Sequence, residues 1–125
     1  MVKTIVSVLI AALLLAGAAV FEYFFVKDQF GVFKDALTAL EEKTRENSAT
    51  GQDAKSVQAM WDAKKKRLHI VIPHNDISYI DYWMGEAVSY IETKNYDDAL
   101  SKIEVLLTIC TQLPNAYRIT FENVF

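Results

Sequence analysis

The sequence is poor in residues that interrupt helices and in residues that build enzyme sites. Its 125 residues include two Pro and four Gly, and a chain with so few breakers points to an all-α fold. A lone cysteine, Cys110, excludes an intramolecular disulfide and a cysteine-based metal cage. Its setting, Leu106-Leu107-Thr108-Ile109-Cys110, is apolar and helical and predicts a buried, inert thiol. Histidine is limited to His69 and His74, on either side of Pro73. Five residues apart, they would not share a helix face, and a metal would need at least one more ligand. No serine stands in a G-x-S-x-G elbow, and no glycine cluster is available to cradle phosphate. With Lys3 and Glu22 set aside, 12 basic residues face 15 acidic ones from Lys27 onward, so no global basic field attracts nucleic acid. The expectation is a protein that is not an enzyme and has no cofactor, metal or nucleic-acid partner.

What is present begins at the amino terminus. Thr4 to Phe21 is eighteen residues without a charge, and Tyr23-Phe24-Phe25-Val26 continues the apolar run past Glu22. About 20 residues at ~1.5 Å each cross a hydrocarbon core of ~30 Å, so residues 1–26 are expected to form a single-pass transmembrane signal anchor. Lys3 followed by Ala16-Gly17-Ala18 also fits a signal peptide cut after Ala18. Against cleavage, Tyr23, Val26, Phe30, Phe33, Leu37 and Leu40 recur at spacings of 3, 4, 3, 4 and 3. That heptad seam carries the same helix straight out of the apolar run. Basic residues fall on both sides of the run, Lys3 before it and Lys27 and Lys34 after it, so the positive-inside count is balanced. The layout of a short leading arm and a small trailing domain predicts a cell-membrane protein with its C-terminal domain extracytoplasmic.

Residues 27–125 are expected to form one helical bundle domain. The anchor's continuation covers about 27–45, and the polar stretch Glu46 to Gly51 makes a loop. A second helix over about 53–71 is capped by Asp53 and shows Val57, Met60, Trp61, Lys64, Leu68 and Val71 or Ile72 on its apolar side. Its basic run Lys64-Lys65-Lys66-Arg67 suits the negative end of a helix dipole. Pro73 separates it from a third helix over about 75–94, capped by His74 or Asn75, with Ile77, Ile80, Met84, Ala87 or Val88, and Ile91 at helical spacing. A fourth helix over about 96–112 turns Ala99, Leu100, Ile103, Leu106, Leu107 and Cys110 inward and is expected to stop at Leu113-Pro114-Asn115. The tail, residues 115–125, is expected to fold back across the bundle. The seam on the first helix is too short for an independent coiled coil, so it packs on the later helices or pairs with a second copy. Ala12 and Ala16 offer a small-x-x-x-small pair for the second option. The second helix is basic and the following pair acidic, which predicts that they lie together.

Several of these marks together carry a resemblance: Phe21-Glu22-Tyr23 at the end of the anchor, Trp61 with Leu68 and Ile72, His74-Asn75-Asp76-Ile77, Tyr90-Ile91, Asp97-Asp98-Ala99-Leu100 and Glu122-Asn123-Val124-Phe125. The chain resembles a domain-of-unknown-function family of short, N-terminally membrane-anchored helical proteins of spore-forming Gram-positive bacteria. The resemblance implies a retained anchor and an all-helical domain, with no activity, substrate or cofactor attached. Pro73 ahead of His74 departs from the more helical residues expected there.

Two kinds of site follow. Tyr79, Tyr82, Trp83 and Tyr90 are aromatic positions on the third helix, suited to binding a protein partner or another copy of the chain and equally to the core, where Trp83 is expected first. Trp61 and His74 would flank a groove for a small ligand or envelope component. Trp83, Ala87, Tyr90, Ala99 and Ile103 also have the spacing of one tetratricopeptide unit, but an array needs at least three. An ordinary helical hairpin is expected instead.

Overall fold

A computed structural model describes residues 1–124, with side chains through Pro114. Four helices follow in order: α1 over Val2–Arg45, α2 over Gly51–Leu68, α3 over His74–Glu92 and α4 over Tyr96–Val124. No strand occurs among the described residues. At ~1.5 Å per residue α1 is about 66 Å long, well over twice the length of α2 or α3. Its apolar first half therefore projects beyond the bundle. That half is long and apolar enough to cross a membrane, and none of the apolar window is buried by the rest of the chain.

Contacts between helices fix an up-down-up-down order. Lys43 of α1 meets Asp53 of α2 at 3.3 Å, while Gln29 accepts from Lys64 at 3.2 Å, so α2 runs back along α1. Lys55 reaches Glu92 and Lys65 reaches Asp81, each at 3.3 Å, so α3 reverses α2. Lys102 approaches Glu86 at 3.9 Å across α3 and α4. The ring closes where α4 packs along α1, with Glu104 4.0 Å from Arg45. Basic α2 therefore pairs with α3, and α4 lies across the bundle from it.

The heptad seam is the first wall of the core. Val26, Phe30, Phe33, Leu37 and Leu40 are all between 0 and 2% exposed, and Thr44 extends the row by donating its hydroxyl to the Leu40 carbonyl at 2.7 Å. Ala54, Val57, Trp61 and Leu68 of α2 face it, with the α3 stripe Ile77, Ile80, Met84, Ala87, Val88 and Ile91 alongside. Ala99, Ile103, Leu106 and Cys110 close the core from α4.

Three helix ends differ from expectation. Thr50, not Asp53, is the N-cap of α2: Thr50 Oγ1 accepts from the Asp53 amide at 3.1 Å and Asp53 Oδ2 accepts from the Thr50 amide at 3.0 Å. This reciprocal capping box satisfies two amides that the helix start leaves free. Neither His74 nor Asn75 caps α3, whose N-cap is Pro73, a residue with no amide hydrogen to satisfy. Most consequentially, α4 does not stop at Leu113-Pro114-Asn115 but continues as helix through Pro114 to Val124. Proline removes one i to i−4 bond, here to the Cys110 carbonyl, at a cost of about 3 kcal/mol, which a long packed helix can absorb. The backbone of 115–124 is therefore the far end of α4 rather than a separate returning tail. Whether the side chains of 115–125 pack across the bundle lies outside the described residues.

Candidate functional site

On α3 the sequence writes two faces. Ile77, Ile80, Met84, Ala87 and Ile91 point to the core, while Tyr79, Trp83, Glu86 and Tyr90 recur at spacings of 4, 3 and 4 on another side, flanked by Tyr82. Tyr79 and Tyr82 are 60% and 59% exposed, and Trp83 and Tyr90 are half-buried. Tyr82 meets Trp83 edge-on with ring centroids 5.3 Å apart, and Tyr79 lies 6.2 Å from the same indole. From α4, Lys102 places its ammonium 4.9 Å over the Trp83 ring and 5.9 Å from the Tyr90 ring. Negative ring faces attract the cation, and the Glu86 carboxylate lies 3.9 Å from it. Glu86 also raises the Tyr82 phenol above its ordinary pKa, by hydrogen bonding and then by its charge.

Trp83 carries one polar atom without a match. Its Nε1 is buried and has no acceptor among the described residues. A donor in that state costs about 1–3 kcal/mol, set against the packing of the Trp83 ring on the core. Beside Trp83 an open furrow of ≈ 440 Å³ runs between α3 and α4, with Tyr79, Glu104, Thr108 and Gln112 among its walls. A smaller hollow of ≈ 290 Å³ adjoins it past Tyr79, toward Asp76 and Leu113. The aromatic face and the furrow form one continuous surface.

A match to a protein-family model covers residues 20–124 and is described as a domain of unknown function (DUF4363). The chain belongs to this family. The match supports the domain-of-unknown-function expectation and carries no activity with it. Among curated proteins and among solved structures, nothing matches the chain.

In this DUF4363 domain the second expected site comes apart. Trp61 is 1% exposed and stacks on Phe33 at 5.1 Å, so it lines no groove. Its Nε1 donates to Asp81 Oδ1 at 2.7 Å, and Lys65 donates to both oxygens of the same carboxylate. Asp81 thus ties α2 to α3. Desolvation works against the Lys65 charge, but the bonds to Asp81 and Asp62 outweigh it and hold the ammonium above its ordinary pKa. His74 is exposed at the start of α3, beside the C-terminal end of α2, and its Nε2 lies 3.3 Å from Ser78 Oγ.

The turn brings His69 and His74 together, which their linear spacing did not suggest: their rings stack with centroids 5.7 Å apart. Among the described residues no group of three His, Cys, Asp or Glu is arranged to hold a metal. Cys110 is buried, and burial pushes its thiol up to about 12, as an inert packing residue requires.

Proposed function

We propose that the protein is a membrane-anchored, non-enzymatic helical module whose α3 face binds a protein partner or a second copy at the outer side of the cell membrane. The observation that supports this most is the contrast between the two tryptophans. Trp61 is enclosed and fully bonded, whereas Trp83 sits under two exposed tyrosines beside an open furrow. Aromatic anchors ringed by polar groups are typical of binding hot spots. The bare first half of α1 supports the anchor, since an unburied helix apolar on every side suits lipid.

The test uses the full-length protein in its native membrane with a photo-crosslinking residue placed at Tyr82 or, on α2, at Ser56. A discrete adduct from position 82 and none from 56 is expected. The paired substitution Tyr79→Ala and Tyr82→Ala should abolish capture while shifting stability by no more than about 0.5 kcal/mol per site. Equal labelling from both positions would overturn the assignment of the face, and protease accessibility of the same membranes reads the orientation directly.

A further inference from the structure

The basic run at the end of α2 is divided by the fold. Lys64 and Lys65 are half-buried and spent on Gln29, Asp62 and Asp81. Lys66 and Arg67 are exposed and form no ion pair with a described residue. Three residues on, Ile70 is 86% exposed at the tip of the turn between α2 and α3, between exposed His69 and the buried pair Leu68 and Ile72. The turns at the opposite end of the bundle, residues 46–50 and 93–95, expose no large apolar side chain. A single exposed isoleucine is ordinary. One set beside two unpaired cations is the pattern of an interfacial contact.

Depth gives the pattern its partner. Because α2 runs back along α1, Lys64 lies level with Gln29, and four further residues, about 6 Å, bring Leu68 level with Phe25. The turn beyond it therefore stands beside the stretch where the charge-free run gives way to Glu22. On the anchor reading that is the headgroup layer, about 5–7 Å thick on each side of the hydrocarbon.

We propose that the α2–α3 turn is a second membrane contact, in which Ile70 enters the headgroup layer and Lys66 and Arg67 bind anionic phospholipid. The contact rests on the anchor reading and adds a lipid preference to it. Among groups near the turn, His69 and His74 stack on each other, Asp62 is occupied by Lys65, and Asp76 in the first turn of α3 and Glu22 of α1 are further acids at this depth. Lipid phosphates would supply the negative charge that Lys66 and Arg67 lack. Each basic residue near an anionic surface gains roughly 1 kcal/mol, about a five-fold preference.

The experiment is spin-label depth measurement on the full-length chain in vesicles, either neutral phosphatidylcholine or equal parts phosphatidylcholine and phosphatidylglycerol. Labels are attached at Leu13→Cys, Ile70→Cys and Lys94→Cys, with buried Cys110 replaced by Ala. Position 13 should report hydrocarbon, position 94 water, and position 70 the headgroup layer, deeper in the anionic vesicles. Adding Lys66→Gln and Arg67→Gln should erase the difference between the two lipids at position 70. If position 70 matches 94 while 13 is in hydrocarbon, the docking contact is wrong and the anchor stands. If position 13 is itself in water, the anchor reading fails and the contact with it. An unchanged lipid preference in the double variant would overturn the role given to the two cations.

Discussion

Up to Phe25, α1 keeps no side chain buried, and Leu13 is 72% exposed; from Val26 to Thr44 the same unbroken helix supplies one wall of the core. Both halves hold large apolar residues, but charge separates them: Thr4 to Phe21 carries none, whereas eight charged residues lie from Lys27 to Arg45. Angular distribution separates them as well. In the first half Ile, Leu, Val and Ala occupy every direction around the axis, and no single bundle face could cover them. In the second half Val26, Phe30, Phe33, Leu37 and Leu40 form one stripe while Lys27, Lys34, Asp35 and Glu42 occupy other sides. Apolar content gives a helix something to bury; its arrangement decides whether another helix can bury it.

The largest test of that contrast compares one residue from each half. Phe33→Ala removes a fully buried ring stacked on Trp61 and should destabilise the bundle by about 3–5 kcal/mol, read by denaturant unfolding of the full chain in detergent. Leu13→Ala should change it by no more than about 0.5 kcal/mol. Comparable losses would mean that the first half is also packed against protein, as in a paired assembly.

A smaller effect is expected from the tie that holds the cover in place. Asp81→Ala leaves Trp61 Nε1, at the centre of the buried half's contacts, without its acceptor. The orphaned donor should cost about 1–3 kcal/mol. Asp81→Asn keeps an acceptor for the indole and loses only the attraction to Lys65, whose pair is partly exposed and worth little. If Asn is as damaging as Ala, the charge rather than the hydrogen bond holds α2 to α3.

Much of this arrangement was legible in the sequence because periodicity reports burial directly. The α1 seam from Val26 to Leu40, the α3 stripe and Ala99, Ile103, Leu106 and Cys110 of α4 were readable and are buried, whereas Tyr23, Leu100 and Leu107 are only partly so. What was not legible depends on partners distant in sequence or on context that overrides a local rule. Trp61 and His74 were expected to flank one groove between α2 and the α3–α4 hairpin; only the packing of α2 on α1 shows that the indole is enclosed. The role of Asp81 was not legible because it lies off the apolar stripe of α3 and its partners are 16 and 20 residues away in α2. Pro114 reads as a stop by its own chemistry, yet α4 runs through it. The exposed tyrosines were found as candidates by type alone, and exposure was what separated Tyr79 and Tyr82 from Trp61.

The gentlest perturbation acts at the far end of the buried half, where α1 hands over to α2. Thr50→Ala removes the hydroxyl that accepts from the Asp53 amide and should cost about 1 kcal/mol. Its partner Asp53 reports the same box by pH. The Thr50 amide, then Lys43, holds the Asp53 carboxyl below its usual value in the folded chain. A depressed folded pKa means that Asp53's contribution is whole above the unfolded value of about 3.9 and disappears as pH falls through the lower folded value. Asp53→Asn keeps an oxygen for the Thr50 amide but no titrating group. The stability difference between wild type and this variant should therefore be constant from neutral pH down to about pH 4 and shrink below it. A difference that instead grows on acidification would mean that the carboxylate is worse placed in the folded state than in water, and the capping box would not be what fixes the start of α2.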